Sequence, residues 1–141
     1  MIPSIIFGGN HKDNRGLLSY NNSFDESIVK RIYIIQNTLN FTRGWQGHKI
    51  EQRWFSSIKM HFKIQLIKID NWIEPIKELK KITFNLSENN LDILHISGGY
   101  ITSIKSEEEE EEEEAKLLVM SDYMLNEISD NFKYPLSYFN Q

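Results

Sequence analysis

Hydrophobic and polar residues alternate over short stretches along most of the chain, and turn-forming residues separate these stretches. For example, Phe62, Ile64 and Leu66 fall on one face of a predicted strand, while the residues between them are polar. This two-residue period is typical of a half-buried strand. The predicted strands are Ser4–Phe7, Gly16–Tyr20, Val29–Gln36, Trp45–Ile58 (one bent strand or two), Phe62–Ile69, Lys81–Leu86, Leu91–Ile96, Tyr100–Ile104 and Ala115–Asp122.

No segment has the pattern of a long amphipathic helix. Residues 75–81 predict at most one helical turn, and residues 125–132 predict a short helix or an irregular strap. Many short strands with turns between them are typical of a sandwich or a barrel. The chain of 141 residues suits one domain. The sequence therefore predicts a single all-β domain over residues 1–141.

The acidic residues are concentrated in one place. Glu107–Glu114 is a run of eight glutamates between two predicted strands. Because these eight belong to a total of 20 acidic residues, the rest of the chain has 12 acidic against 16 basic residues. Like charges favour an extended, hydrated segment, so we expect an acidic loop insertion at residues 106–115. A homopolymer specifies no metal geometry, which makes a metal site or a basic-partner site the weaker interpretation.

Residue usage indicates where the protein works. The sequence contains no cysteine, which excludes disulfides, thiol catalysis and thiolate metal sites and fits a reducing compartment. No apolar run approaches the roughly 20 residues of a membrane helix. The first residues, Met-Ile-Pro-Ser, lack the basic and apolar regions of a signal peptide. We therefore expect a cytoplasmic protein with neither a membrane nor a nucleic acid as its partner.

A polar stripe interrupts the pattern near the middle of the chain. On a regular strand Gln46, His48 and Gln52 point to one face, and Glu51 and Arg53 point to the other. A barrel interior is normally apolar, and burying polar groups costs free energy unless they are paired or solvated. The stripe therefore predicts a water-filled pocket inside the barrel.

The same segment resembles a known family. Arg43-Gly44-Trp45, followed by His48-Lys49 and Gln52, is similar to the motif of the WxcM-like sugar 3,4-ketoisomerases. These cupins are related to the dTDP-4-keto-6-deoxyglucose 3,5-epimerases, and the resemblance implies a cupin-type β-barrel, or jelly roll. Further segments resemble family elements along nearly the whole chain: Asp13-x-Arg15-Gly16-x-Leu18, Val29–Ile34, Leu91–Ile96 with Gly98–Tyr100, Leu118–Tyr123 and Tyr134–Phe139.

The chain departs from the family motif at two places. The ketoisomerases carry two histidines, as Arg-Gly-x-His-Ala-His-Lys, whereas Gln46 replaces the first of them here. The 3,5-epimerases carry their catalytic histidine at that same first position, so the remaining His48 favours chemistry of the ketoisomerase kind. Met60 occupies a turn where the family commonly has glycine, and we expect the turn to differ here.

The resemblance implies a role for each candidate residue. It assigns proton transfer to His48 and assistance to Tyr33, since an imidazole titrates near neutral pH and a phenol can donate to a developing enolate oxygen. It implies that arginine side chains bind the diphosphate through bidentate hydrogen bonds from the guanidinium group. The predicted substrate-binding residues are Arg43, Arg15, Gln46, Gln52 and, with less support because it points away from His48, Lys49. No metal and no other cofactor is expected, because Gln46 breaks the usual His-x-His pair.

The resemblance thus predicts an isomerase or epimerase for a nucleotide-linked 4-keto-6-deoxyhexose. The reaction would proceed through an enediolate, in the synthesis of surface-polysaccharide sugars, and a homodimer is the family expectation. Two alternatives stay open at this point. The chain is either a non-catalytic sugar-nucleotide binder or regulatory companion, which Gln46 favours, or a cupin dimer that binds an unrelated small molecule.

Overall fold

A computed structural model describes residues 2–106 and 114–140, and this part of the chain consists of twelve β-strands joined by turns and irregular segments. The strands are β1 Ser4–Ile6, β2 Gly9–Asp13, β3 Gly16–Tyr20, β4 Arg31–Asn37, β5 Thr42–His48, β6 Arg53–Lys59, β7 His61–Lys68, β8 Lys81–Ser87, β9 Ile93–Ile96, β10 Tyr100–Ser106, β11 Ala115–Ser121 and β12 Phe132–Lys133. The predicted acidic insertion lies, except for its ends, outside the described residues.

Two five-stranded antiparallel sheets pack face to face. One has the order β1-β9-β6-β11-β4, and the other has the order β12-β5-β10-β7-β8. Strands β2 and β3 form a separate hairpin. No strand pairing joins one five-stranded sheet to the other among the described residues, so the barrel is open between the sheets, as in a jelly roll. The predicted all-β fold of the cupin type is confirmed.

The structure decides between the two alternatives for one predicted segment and adds two strands. The long 45–58 segment is two strands, β5 and β6, joined by a turn at residues 49–52. Strands β2 and β12 were not predicted, because the polar residues of β2 read as a turn and β12 has only two residues. Residues 125–131 form an irregular strap. Residues 2–106 and 114–140 contain no helix that is long and apolar enough to cross a membrane.

The apolar core lies between the sheets. Its largest cluster combines side chains from both layers, and alternation along each strand sends these side chains inward. On β7, for instance, Phe62, Ile64 and Leu66 are buried at alternate positions, as predicted. The buried members of this cluster are Phe55, Phe62, Ile64, Leu66, Leu86, Leu94, Ile96, Tyr100, Ile104, Ala115, Leu117 and Val119.

Met60 lies in the turn between β6 and β7, where the family commonly has glycine. Met60 has φ of 67°, so it adopts the left-handed conformation that glycine would take at this turn. Its carbonyl accepts hydrogen bonds from the Ser57 hydroxyl at 2.6 Å and from the Glu88 amide at 3.2 Å, and its side chain packs against the core. These contacts offset part of the cost of a left-handed backbone at a residue that carries a side chain.

Candidate active site

A cavity of about 400 Å³ opens between the two sheets beside the apolar core. Four strands wall it, and each contributes residues two positions apart, because alternate side chains of a strand share a face. One sheet supplies β4 and β6, and the other supplies β5 and β10. The inward pairs are Tyr33 and Ile35, Gln46 and His48, Arg53 and Phe55, and Thr102 and Ile104, with Ile34, Gln36, Arg43 and Gly44 completing the lining.

His48 ends strand β5 and faces this cavity. Only 12% of its side chain is exposed to solvent. The ring also lines a neighbouring cavity of about 230 Å³, which shares Tyr33 and Gln46 with the first. Its Nδ1 lies 2.7 Å from the carbonyl oxygen of Asp130, so Nδ1 carries the proton that donates to this oxygen and Nε2 is left as the basic nitrogen of the neutral ring.

Asp130 holds the turn that follows His48. Its carboxylate is buried and accepts three backbone N–H bonds, from Lys49 at 2.9 Å, Ile50 at 2.7 Å and Glu51 at 2.8 Å. The same residue orients the imidazole through its carbonyl oxygen. One strap residue therefore fixes both the β5–β6 turn and the histidine ring.

Glu51 lies beside His48, although a regular strand would have placed it on the opposite face. The chain turns after His48, which brings the Oε2 of Glu51 to 3.4 Å from the His48 Nε2. Glu51 is buried, and its Oε2 has no hydrogen-bond partner among the described residues. The assignment of Glu51 to the opposite face is therefore wrong, and the site holds an imidazole next to a carboxylate.

The pKa of His48 is set by competing surroundings. Burial lowers it below the ordinary 6.5, and the positive charge of Arg53 lowers it further. The negative charge of Glu51, the hydrogen bond to the Asp130 carbonyl and the charge of the Asp130 carboxylate act in the opposite direction, but burial prevails. The ring is therefore a neutral base at pH 7, ready to accept a proton.

Tyr33, Gln46 and Arg43 complete the wall around His48. Tyr33 is half-buried on β4, and the guanidinium of Arg31 lies 4.8 Å from its ring centre. The Gln46 amide donates to the side chain of Asn131 at 2.9 Å, which ties it to the strap. Arg43 is exposed at the rim of the cavity. The structure thus brings together His48, Tyr33, Gln46 and Arg43 as the sequence predicted.

Three other predicted binding residues lie elsewhere. The side chain of Gln52 donates to Asp122 at 3.2 Å and accepts from the His95 ring at 2.7 Å, and it lines neither cavity. Lys49 is exposed on the turn beyond His48. Arg15 lies on the β2–β3 hairpin, paired with Asp13 at 2.6 Å, and 83% of its side chain is exposed. None of the three reaches the cavity within this chain.

Sequence reasoning missed Arg53, Glu51 and Asp130. Arg53 was placed on the outer face because the strand was assumed to continue past residue 48. The signal that would have found it is a charged residue in the stretch Arg53–Ser57, which is otherwise short of charge and fully buried. Asp130 carries no local signal, because its partners are 80 residues away in the sequence.

The described ranges, 2–106 and 114–140, contain no group of three or more His, Asp or Glu side chains arranged to hold a metal ion. The cavity lining offers a base, a phenol, a hydroxyl, two amides and two guanidinium groups as its polar chemistry. These groups suit a polar substrate that carries negative charge and exchanges a proton.

No family model and no curated protein matches the chain. Solved structures do match. A variant of the 3,4-ketoisomerase from Thermoanaerobacterium thermosaccharolyticum in complex with TDP has a TM-score of 0.69 at 22% identity, over 97% of this chain and 91% of that one. The 3,4-ketoisomerase from Helicobacter canadensis has a TM-score of 0.63 at 27% identity, over 90% and 87%.

A third match is the TDP-quinovose 3,4-ketoisomerase from Campylobacter jejuni, with a TM-score of 0.64 at 24% identity, over 94% of this chain and 92% of that one. These matches span nearly the whole of both chains. The chain therefore shares its fold with sugar 3,4-ketoisomerases, the kind of enzyme that its sequence motif resembles.

Proposed function

We propose that this protein is an isomerase of a nucleotide-linked 4-keto-6-deoxyhexose, and that it moves the ketone between carbons 4 and 3. The single observation that carries the proposal is the placement of His48. A neutral imidazole whose Nδ1 is oriented by the Asp130 carbonyl and whose Nε2 is unprotonated faces a polar cavity, inside a fold shared with 3,4-ketoisomerases. A cytoplasmic location and a role in surface-polysaccharide sugar synthesis follow from the same proposal.

The reaction needs one base and no change in oxidation state overall. The Nε2 of His48 takes the proton from carbon 3, next to the ketone, and the electron pair of that C–H bond forms the enediolate between carbons 3 and 4. The same nitrogen returns the proton to carbon 4, and the hydroxyl proton passes from the oxygen on carbon 3 to the oxygen on carbon 4. Glu51, 3.4 Å away, stabilises the imidazolium between the two steps.

The other lining residues position the substrate. The Tyr33 hydroxyl is a donor for one oxygen of the enediolate, and the Gln46 side chain can bond a sugar hydroxyl. Arg43 at the rim pairs the diphosphate, which is charged and hydrated and so suits an exposed cation better than the cavity interior.

A homodimer is part of the proposal, and it accounts for the position of Arg15 outside the cavity of its own chain. Strand β4 is at the edge of its sheet and exposes 63% of Ile32 and 54% of Ile34, and the β2–β3 hairpin exposes 64% of Leu18. Apolar edges of this kind need cover. A second copy would cover them, and it could bring its own Arg15 toward a diphosphate, which Arg15 does not reach within one chain.

We expect sedimentation velocity at micromolar concentration to give twice the chain mass of 16.7 kDa. The substitution Ile32→Asp places a charge on the exposed edge and should shift the protein to the monomer, whereas Ile73→Asp changes a side chain that is 95% exposed in a loop and should leave the dimer intact. A monomeric unmodified protein would contradict the homodimer and leave Arg15 without a part in the site.

Proton exchange in heavy water tests the proposed activity. We expect the protein to place deuterium on carbon 3 of recovered TDP-4-keto-6-deoxyglucose and on carbon 4 of the 3-keto product, because both carbons exchange protons with the same imidazole. Mass spectrometry and proton NMR measure the label, and a sample without protein corrects for spontaneous exchange.

The same experiment separates the second candidate function. Gln46 stands where the ketoisomerase motif has a histidine, and it is bonded to Asn131, which favours a non-catalytic sugar-nucleotide binder. A binder raises its melting temperature with TDP-sugar by mass action but transfers no deuterium. Stabilisation by the sugar nucleotide without any label above the protein-free sample would reject the isomerase and support the binder.

A further inference from the structure

Arg53 is a buried cation that has no ion-pair partner among the residues that the structure describes. It lies on β6 in the wall of the cavity that His48 faces, and only 5% of it is exposed. Its Nη1 donates to the Oγ1 of Thr102 at 3.3 Å, and its guanidinium lies 5.2 Å from the ring centre of Phe55. Its Nη2 is buried and has no hydrogen-bond partner among the described residues.

This arrangement costs stability. Taking a cation out of water costs several kcal/mol, and the cost is recovered only when partners satisfy its donors. Burial lowers the pKa of Arg53, while the charges of Tyr33, Glu51 and Asp130 raise it from a distance. No carboxylate in the described ranges lies within 4 Å of its guanidinium. An apolar residue would fit the buried stretch better, so stability does not account for the arginine.

The guanidinium is also held in place. Thr102 accepts from Nη1, and the hydroxyl of Thr102 itself donates to the Gln46 carbonyl at 3.3 Å across the β5–β10 pair. The Phe55 ring limits movement on one side. A fixed donor that needs no reorganisation when charge develops is the arrangement that stabilises anions in transition states.

We propose that Arg53 binds the oxygen anion of the enediolate and donates to it from Nη2. This inference rests on the proposed isomerase function and adds the group that stabilises its intermediate. Arg53 lines the same cavity as the His48 ring, from the opposite sheet, so a sugar between the sheets lies between base and cation. The imidazole removes the proton, and the guanidinium takes up the negative charge that results.

The diphosphate is a poorer match for Arg53. A diphosphate carries its charge before the reaction and is strongly hydrated, and the exposed Arg43 at the rim is available for it. An enediolate oxygen acquires charge only during the reaction, inside the cavity, where a desolvated cation interacts most strongly. The two arginines therefore have different roles: Arg43 binds the diphosphate of the nucleotide, and Arg53 binds the enediolate oxygen of the sugar.

Paired substitutions test this division. We expect Arg53→Met to lower kcat for the keto-sugar by about 10²–10³-fold, while its Kd for TDP and its folded spectrum stay as in the unmodified protein and its melting temperature is equal or higher. The matched variant Arg43→Met should instead weaken TDP binding. Calorimetry, deuterium exchange and thermal melts provide the measurements.

Each other outcome decides against the inference. Unchanged kcat in Arg53→Met would overturn it, and so would a loss of TDP affinity in that variant, which would assign Arg53 to the diphosphate. If Arg53→Met does not fold, Arg53→Gln provides the same measurements, and failure of both to fold would show that the role is structural. Absence of exchange in the unmodified protein would overturn the proposed function and this inference together, whereas exchange that survives Arg53→Met would overturn this inference alone.

Discussion

Replacing His48 by asparagine lowers the rate of deuterium transfer to the keto-sugar by about 10²–10⁴-fold, the usual contribution of general acid–base catalysis. Asparagine can still donate to the Asp130 carbonyl, which the Nδ1 of His48 contacts at 2.7 Å, so the local fold is kept while the base is lost. The affinity for TDP should change little, because Arg43, the proposed contact of the diphosphate, lies at the rim. Exchange rates and calorimetry measure the two effects separately.

His95 provides the matched control. Its ring stacks on Trp54 at 5.2 Å and bonds Gln52, and it does not line the cavity. His95→Asn should therefore leave the exchange rate unchanged even if it lowers the melting temperature. If His48→Asn kept the exchange rate of the unmodified protein, another residue would have to be the base.

The pH dependence of kcat/KM follows from the direction of the His48 pKa. Because burial holds that pKa below 6.5, the neutral base persists below pH 6.5, and activity falls only as the pH drops through the lowered value. Removing the Arg53 charge in Arg53→Met takes away one cause of the lowering, so the acidic limb of the profile should move to higher pH. A limb at or above pH 6.5 in the unmodified protein would contradict the burial of His48.

Replacing Asp130 by alanine lowers the free energy of unfolding by about 3–5 kcal/mol, because three buried backbone N–H groups lose their acceptor. The freed turn at residues 49–52 also releases the histidine ring, so the activity should fall beyond what the remaining folded fraction explains. Urea unfolding measures the first effect, and exchange rates under folded conditions measure the second.

A control for this result is Asp25→Ala. The Asp25 carboxylate is exposed and accepts one backbone bond, from Ser27 at 2.9 Å, so its loss should cost less than about 1 kcal/mol. Equal destabilisation by the two substitutions would mean that the three buried hydrogen bonds of Asp130 stabilise the protein no more than the one exposed bond of Asp25 does. The strap would then serve only to cover the cavity.

The alternating pattern determined the class of fold and most of its strands. Inward and outward side chains follow directly from a two-residue period, so β7, β8 and β11 could be located from sequence to within about two residues. The pattern of polar residues did not predict β2. This strand pairs with β3 in an exposed hairpin, where no burial pattern is imposed.

The motif around His48 determined the proposed base, the rim arginine and the likeness to ketoisomerases, because these residues lie close together in the sequence. Tertiary structure alone decided which charged groups surround that base. The turn after residue 48 moves Glu51 next to His48, β6 crosses in the other sheet and sends Arg53 inward, and the strap brings Asp130 to the turn from some 80 residues away. Sequence spacing encodes the faces of a strand, whereas charges meeting across a cavity depend on how strands from two sheets are packed.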